Sequence, residues 1–426
     1  MFESFKRSVH DRVMHHSRHN PISISQISHV RALDQLSETT LQELAKARAC
    51  EMARHAAERS ALYKELYKDI PSQFGSTQFY NSLPIITKCD IRHKEKDIAT
   101  RSLRFMVKGL TSGTTGASLS VYRTPMAIMN EYAYVWYYRM SHGIKKGDPI
   151  VSLRAKLKRD QLFYFNRAEN ILYISPFLLS QDNIGTIATI LSDFKPKALF
   201  SYPSFMCNLA HLLKLKGYHL TIPLLFTSSE TLYAHNRMKL EEYFHARIYD
   251  WYGNVERTIA IGECEYGNYH EMPLYSFNEY KEDGIITTGL INKSYPLIRY
   301  WVEDRIEKIN DTCKCGKQHV IRSIEGRIND SLALKNGTFV SGLSVGYAFI
   351  NVKNIRLAQI VQKDQNHIEV NVVGENGFCS DNRDELMKNL RERLPDDLSM
   401  NFNQVEEDSI TKAKSGKFKL VISDFS

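Results

Sequence analysis

The first twenty residues, MFESFKRSVHDRVMHHSRHN, hold basic residues and histidines but no apolar core of signal-peptide length. No run of about 18 apolar residues occurs anywhere in the 426-residue chain, so no transmembrane helix is expected. Seven cysteines, an odd number in so long a chain, argue against a disulfide scaffold. Together these absences lead to the expectation of a cytoplasmic protein. A strong charge of one sign is lacking too. The net charge of +8 fits an anionic ligand, nucleic acid or a membrane surface, and selects none of them. Nucleic-acid binding would rest on that charge and on scattered lysines alone, and is set aside. The basic, His-rich start reads as a solvated helix, with contact to a partner or peripheral association with the cell envelope as the sharper alternative. No fixed-period repeat and no low-complexity tract is present.

What is there suffices for packed cores. Hydrophobic residues make up 43% and aromatic residues 11%, and the length favours two domains. Apolar residues at three-and-four spacing predict helices over residues 34–70. FMVKGL reads as a short strand, PMAIMNEYAYVWYYRMSHGI as an aromatic helix ending at Gly143, and DPIVSLRA as a strand. KALFSYPSFMCNLAHLLKLKG reads as strand, turn and helix, IPLLFTSSE as a strand, and YAHNRMKLEEYF as a helix. Strands alternating with helices predict an α/β fold with mostly parallel sheets and flanking helices. Beyond about residue 330 the texture changes to the alternating HIEVNVVG, the amphipathic DNRDELMKNLRERL and a last strand, FKLVIS. That is a small α+β domain. An aromatic stripe such as EYAYVWYYRM is more often core than the wall of an acyl pocket.

Five stretches have the composition of a nucleotide site. LTSGTTGASLS is a Ser/Thr/Gly run between a short strand and a helix. Gly113 and Gly116 would let backbone N–H groups approach an anion, although a solvated linker has the same composition. It lacks the G-K-[ST] of a Walker loop. In DWYGNVE, Tyr252 could stack on a base and Glu256 could hold Mg²⁺ beside phosphates; a surface turn is the plain alternative. In YPLIRYWVEDRIE, Asp304 sits where a carboxylate can take both ribose hydroxyls, while Arg299 and Arg305 read as paired surface charges. IEGRIND marks the change of texture, and ITKAKSGKFKL presents Lys417 after a Ser-Gly turn. Separately, Cys264, His270, Cys313 and Cys315 offer three sulfurs and an imidazole, which suit tetrahedral Zn²⁺. His319 competes for the fourth position, and four unrelated polar side chains remain the alternative.

In this order the stretches resemble the adenylate-forming superfamily of acyl- and aryl-CoA synthetases, luciferases and peptide-synthetase adenylation domains. The nearer resemblance is to the phenylacetate–CoA ligase branch and its capsular-polysaccharide-associated relatives. It is carried by LPIITKCDIR, TSGTTG, Tyr202-Pro203-Ser204, YGNVERTIAIGEC and CKCGKQHVIRSIEGRIND, and spans residues 83–421. The resemblance implies an ATP- and acid-binding domain over residues 1–326, a hinge at 327–330 and a small mobile domain over 331–426. Thr111, Ser112, Gly113, Thr114, Thr115 and Gly116 would wrap the phosphates of ATP. Ser228, Ser229 and Glu230 would border the adenine, with Tyr252 and Gly253 flanking it. Glu256 would bind Mg²⁺, Asp304 the ribose with Arg327 assisting, and Lys417 the carboxylate and α-phosphate. Cys264, His270, Cys313 and Cys315 would hold the structural zinc that some members carry. The implied chemistry joins a small carboxylic acid to an acceptor through an acyl-AMP. The acceptor would be CoA, or an amine or hydroxyl of a cell-envelope saccharide. A non-catalytic binding protein on the same fold is the alternative. The chain departs from the pattern at Ser229 (usually Gly), Val255 (usually Thr) and Asn329 (usually Asp), and it has no lysine directly after the Ser/Thr/Gly loop.

Overall fold

A computed structural model describes residues 20–69, 77–110, 119–153, 157, 161–327, 331–334, 339–349, 352–392, 394–395, 397–411 and 419–423. Helix α1 (Pro21–Leu33) starts on a proline, and Asn20 accepts the Ser23 N–H at 2.8 Å. Helix α2 (Glu38–Arg59) is capped likewise by Ser37. It stops at Ser60, which caps a further short helix, so the helical pattern over 34–70 is broken once. Strands β1 (Val107–Leu110) and β2 (Ser120–Arg123) precede the aromatic helix α3 (Pro125–Ser141). Strands and helices then alternate as β3 (Ile150–Leu153), β4 (Phe163–Asn166), β5 (Ile171–Ile174), α4 (Ile184–Phe194), β6 (Ala198–Ser201), α5 (Pro203–Leu215), β7 (Leu224–Ser228), α6 (Ala234–Phe244) and β8 (Arg247–Gly253). A strand-rich stretch follows with β9 (Ala260–Glu263), β10 (Tyr269–Glu271), β11 (Ser276–Lys281), β12 (Gly284–Gly289), β13 (Tyr300–Val302), β14 (Asp304–Thr312) and β15 (Gln318–Arg327). The chain ends in β16 (Ser331–Ala333), β17 (Phe339–Ser341), β18 (Ile355–Asp364), β19 (His367–Gly374), α7 (Ser380–Arg391), β20 (Ser399–Gln404) and β21 (Val421–Ser423). The α/β expectation holds, with helices on a mostly parallel sheet and a further sheet at the C-terminus. Among the described residues no helix is long and apolar enough to cross a membrane.

The chain divides into two compact units. The first comprises residues 1–148, 166–171 and 251–323. Its strands β9, β10, β15 and β14 are neighbours in that order, and β11, β12 and β13 form an antiparallel sheet. Helix α3 buries Tyr134, Trp136, Tyr137 and Tyr138. The Tyr134 hydroxyl donates to the Pro273 carbonyl at 2.9 Å and that of Tyr138 to the Glu263 carbonyl at 3.1 Å. Tyr137 donates to Asp34. These four aromatic side chains are therefore core, with the three phenol oxygens satisfied.

The second unit comprises residues 149–165, 172–250 and 324–426. Strands β3, β6 and β7 are parallel and in register, Val151 beside Leu199 and Leu199 beside Leu225. All three side chains are fully buried against Ile187, Leu209 and Leu240 of the flanking helices. Such strands read as continuous apolar runs, which is how the sequence shows them. In the same unit β20, β19, β18 and β21 form a sheet in that order, and Leu386 and Leu390 of α7 are buried with Ile360, Ile368 and Val370. Strand β8 begins in the second unit and ends in the first.

Candidate functional site

The residues expected to hold the nucleotide fall into two groups, one in each unit. In the second unit, β7 ends at Ser228 and the chain turns through Ser229 with φ +72°. An L-residue is strained there, and a glycine would not be. Ser229→Gly is accordingly expected to raise stability by about 0.5–1 kcal/mol in urea unfolding; an unchanged or lowered midpoint would contradict this account of the turn. The Glu230 carboxylate accepts the Ser204 N–H and the Ser204 hydroxyl, each at 3.0 Å. Tyr202, the cap residue of α5, makes no side-chain capping bond, so Glu230 supplies the acceptor that the helix start needs. This joins the Tyr202-Pro203-Ser204 and Ser228-Ser229-Glu230 motifs physically. Buried Thr227 donates to buried Asp250 at 2.6 Å, which ties the ends of β7 and β8 together.

In the first unit, β8 ends at Tyr252 and Gly253, and a turn follows. Asn254 closes it from both sides, accepting the Thr258 N–H at 2.9 Å and donating to the Thr258 hydroxyl at 2.8 Å. Glu256 is held inside this turn, and the Tyr300 hydroxyl donates to its Oε1 at 3.2 Å. The Tyr252 hydroxyl donates to Asp304 Oδ2, at the first residue of β14. Two carboxylates that lie far apart in sequence are thus each gripped by a tyrosine on a β-strand. Tyr300 was not among the residues read from the sequence, where it was one apolar-looking position in YPLIRYWV.

Other expectations fare differently. Thr111, Ser112, Gly113, Thr114, Thr115, Gly116, Asn329 and Lys417 lie outside the described residues. Arg327 ends β15, and its side chain is likewise undescribed. The Ser/Thr/Gly run does not lead directly into a helix. It connects β1 to β2, an antiparallel hairpin in which Leu110 pairs with Ser120, and α3 starts only at Pro125. Four mixed residues, Ser120-Val121-Tyr122-Arg123, are too few to show strand periodicity. Arg299 is not a surface charge. It is 6% exposed, donates to the Asn81 and Leu83 carbonyls, and pairs with Glu279 at 3.3 Å.

The cysteine and histidine set does come together. The ligand atoms of Cys264, His270, Cys313 and Cys315 all lie within 4.8 Å of one another. Cys264 Sγ is 3.7 Å from Cys313 Sγ, and Cys315 Sγ is 3.3 Å from His270 Nε2. Two thiolates on a tetrahedral zinc ion, at about 2.3 Å each, stand about 3.8 Å apart. The backbone explains the spacing. Cys264 donates its N–H to the Asn268 carbonyl and receives the Gly267 N–H; Cys313 does the same with Lys317 and Gly316. Gly267 and Gly316 have φ +78° and +91°, so the two turns are copies of one knuckle that needs glycine at its fourth position. His270 is buried, and burial pushes its pKa down to about 4, leaving the neutral imidazole a metal requires. His319 stands outside the set and pairs with Asn310 at 2.8 Å. The donor types, distances and shape all fit zinc.

Comparison with known proteins bears on the same features. Residues 332–424 match the CapK C-terminal domain family. Protein CapK of Staphylococcus aureus is 25% identical over 456 residues, covering 100% of this chain and 97% of its own length. Among solved structures, 2-hydroxyisobutyryl-CoA ligase in the postadenylation state with 2-HIB-AMP aligns with a TM-score of 0.73 at 17% identity, covering 91% of this chain and 90% of that one. Anthranilate CoA ligase in complex with anthranoyl-AMP aligns with a TM-score of 0.51 at 14% identity, covering 72% and 65%. The fold is therefore that of the adenylate-forming CoA ligases.

Proposed function

We propose that this chain, built on the adenylate-forming ligase fold, is an ATP-dependent carboxylic acid ligase. The observation that carries the reading is the pair of tyrosine-held carboxylates, Asp304 with Tyr252 and Glu256 with Tyr300, flanking the end of β8. Asp304 binds the ribose hydroxyls. Glu256 holds Mg²⁺, which offsets charge on the phosphates of ATP when bound. Ser228, Ser229, Tyr252 and Gly253 border the adenine, and Thr111 to Gly116 wrap the phosphates. The acid carboxylate attacks the α-phosphorus in line, pyrophosphate leaves, and an acyl-AMP forms; Lys417 and Arg327 stabilise the charge that develops. Residues 1–326 form the ATP- and acid-binding domain, 327–330 the hinge and 331–426 the mobile C-terminal domain. Zinc on Cys264, His270, Cys313 and Cys315 fills a closed four-ligand site, so its role is structural.

An acceptor then opens the acyl-AMP. CoA is supported by the two CoA ligases that share the fold. A saccharide amine or hydroxyl is supported by the resemblance to the phenylacetate–CoA ligase branch's capsule-associated relatives. Hydroxylamine trapping tests the first half-reaction. With ATP, Mg²⁺ and a panel of acids, at least one acyl hydroxamate is expected; none across a broad panel favours the non-catalytic alternative. Loss of free thiol on adding CoA to the productive acid with ATP and Mg²⁺, hydroxylamine left out, would decide for CoA over a saccharide.

A further inference from the structure

The Ser/Thr/Gly run and the residues up to Ser120 contain no lysine or arginine. A cationic residue nevertheless stands at the foot of the same hairpin. Arg123 is the last residue of β2, opposite Val107. Its guanidinium lies across Gly109 of β1, where a β-carbon would come within 2.5 Å of Nη2 and 2.7 Å of Cζ. It reaches the Asn254–Thr258 turn, where Nη2 donates to the Val255 carbonyl, next to Glu256. Its Nε is buried and has no hydrogen-bond partner. Arg257, in the same turn at φ +56°, places Nη1 3.5 Å from the Ala127 carbonyl, four residues after Arg123. Arg123 thus bonds to the turn that carries both Arg257 and Glu256, and Arg257 reaches back toward the start of α3. Burial, then the nearness of Arg257, depress the Arg123 pKa to about 10. The carboxylates of Glu131, which also accepts the buried Tyr275 hydroxyl, and of Glu256 act the other way. Two arginines set against two carboxylates are balanced only until a cation takes up one of those carboxylates.

We propose that Arg123 and Arg257 form an oxyanion clamp for the pyrophosphate portion of the nucleotide, supplying the positive charge that the Ser/Thr/Gly run lacks. The clamp deepens the ligase reading and rests on it for the identity of the anion. A pyrophosphate group suits two planar donors better than a single carboxylate does. It offers several oxygens and more than one negative charge, and guanidinium pairs with phosphate through two parallel bonds. When Glu256 engages a divalent cation, its charge no longer serves the arginines, and the anion restores the balance.

The test is calorimetric binding of inorganic pyrophosphate and of ATP with Mg²⁺, without any acid, to the full chain and to Arg123→Gln, Arg257→Gln and Gly109→Ala. Each arginine substitution is expected to weaken both ligands about tenfold or more. Their affinities should also become less sensitive to added salt than those of the unaltered protein. Gly109→Ala keeps both charges but displaces the Arg123 guanidinium, so the same weakening is expected, with the thermal transition retained. Unchanged pyrophosphate affinity in the arginine variants, or no binding by the unaltered protein, overturns the clamp. The ligase reading fails separately, through absence of acyl hydroxamate; pyrophosphate binding that depends on Arg123 would survive that failure.

Discussion

Replacing Glu256 by glutamine is expected to lower acid-dependent pyrophosphate exchange by about 10²–10³-fold, the loss seen when a preorganised charge contact is removed at a reacting centre. Glutamine has the shape of glutamate and keeps a carbonyl oxygen for the Tyr300 hydroxyl, which donates to Oε1 at 3.2 Å. The turn that carries the side chain is closed by Asn254 and Thr258, not by Glu256. The substitution therefore removes a negative charge and little else. If that charge holds Mg²⁺, raising the magnesium concentration should restore part of the rate in the variant and almost none in the unaltered protein. A fall of less than about tenfold, with no response to magnesium, would take Glu256 out of the metal role and leave it as a surface-turn residue.

Cys313→Ser is expected to reduce bound zinc from one equivalent to almost none and to destabilise the first unit by several kcal/mol, because ligand binding free energy at a structural zinc site is folding free energy. The argument rests on the two matching knuckles. The turn from Cys264 to Asn268 leads into β10, which carries His270, and the turn from Cys313 to Lys317 joins β14 to β15. β10 and β15 are paired through Tyr269 and Ile321. The four ligand atoms come from two turns and the strand beside them, and loss of one leaves an incomplete shell. Asn268 donates to Cys313 Sγ at 3.2 Å, a second contact that serine would weaken. Elemental analysis of the purified protein together with urea unfolding checks both parts. Metal-free protein with an unaltered unfolding midpoint would reduce the four residues to neighbours without a shared function.

Much of the fold was legible because its parallel strands are short apolar runs with turn signals at both ends. AIGE, YHE and SFNEYK were not legible as strands, since three to six mixed residues carry too little periodicity. The aromatic stripe of α3 went to the core because its phenol groups found carbonyl and carboxylate acceptors there. In Arg299 the charge misled: two main-chain carbonyls and Glu279 satisfy a buried guanidinium, and no local pattern announces them. The cysteine and histidine set, His270 included, was legible by type, and the structure leaves the competing His319 outside it, paired with Asn310. Tyr300, Arg123 and Arg257 were missed for one reason. Each gains its place through a partner more than forty residues away, Glu256 for Tyr300, Val255 for Arg123 and Ala127 for Arg257.

Incorporation of labelled pyrophosphate into ATP tests the central claim most directly, since it needs both the acyl-AMP and a reversible first step but no acceptor. Across a panel of aromatic, aliphatic and hydroxy acids, at least one should drive label into ATP in a strictly acid-dependent, Mg²⁺-dependent manner, and Glu256→Gln should suppress it. No label in ATP with any acid of the panel, or label that enters equally without acid, would contradict the account.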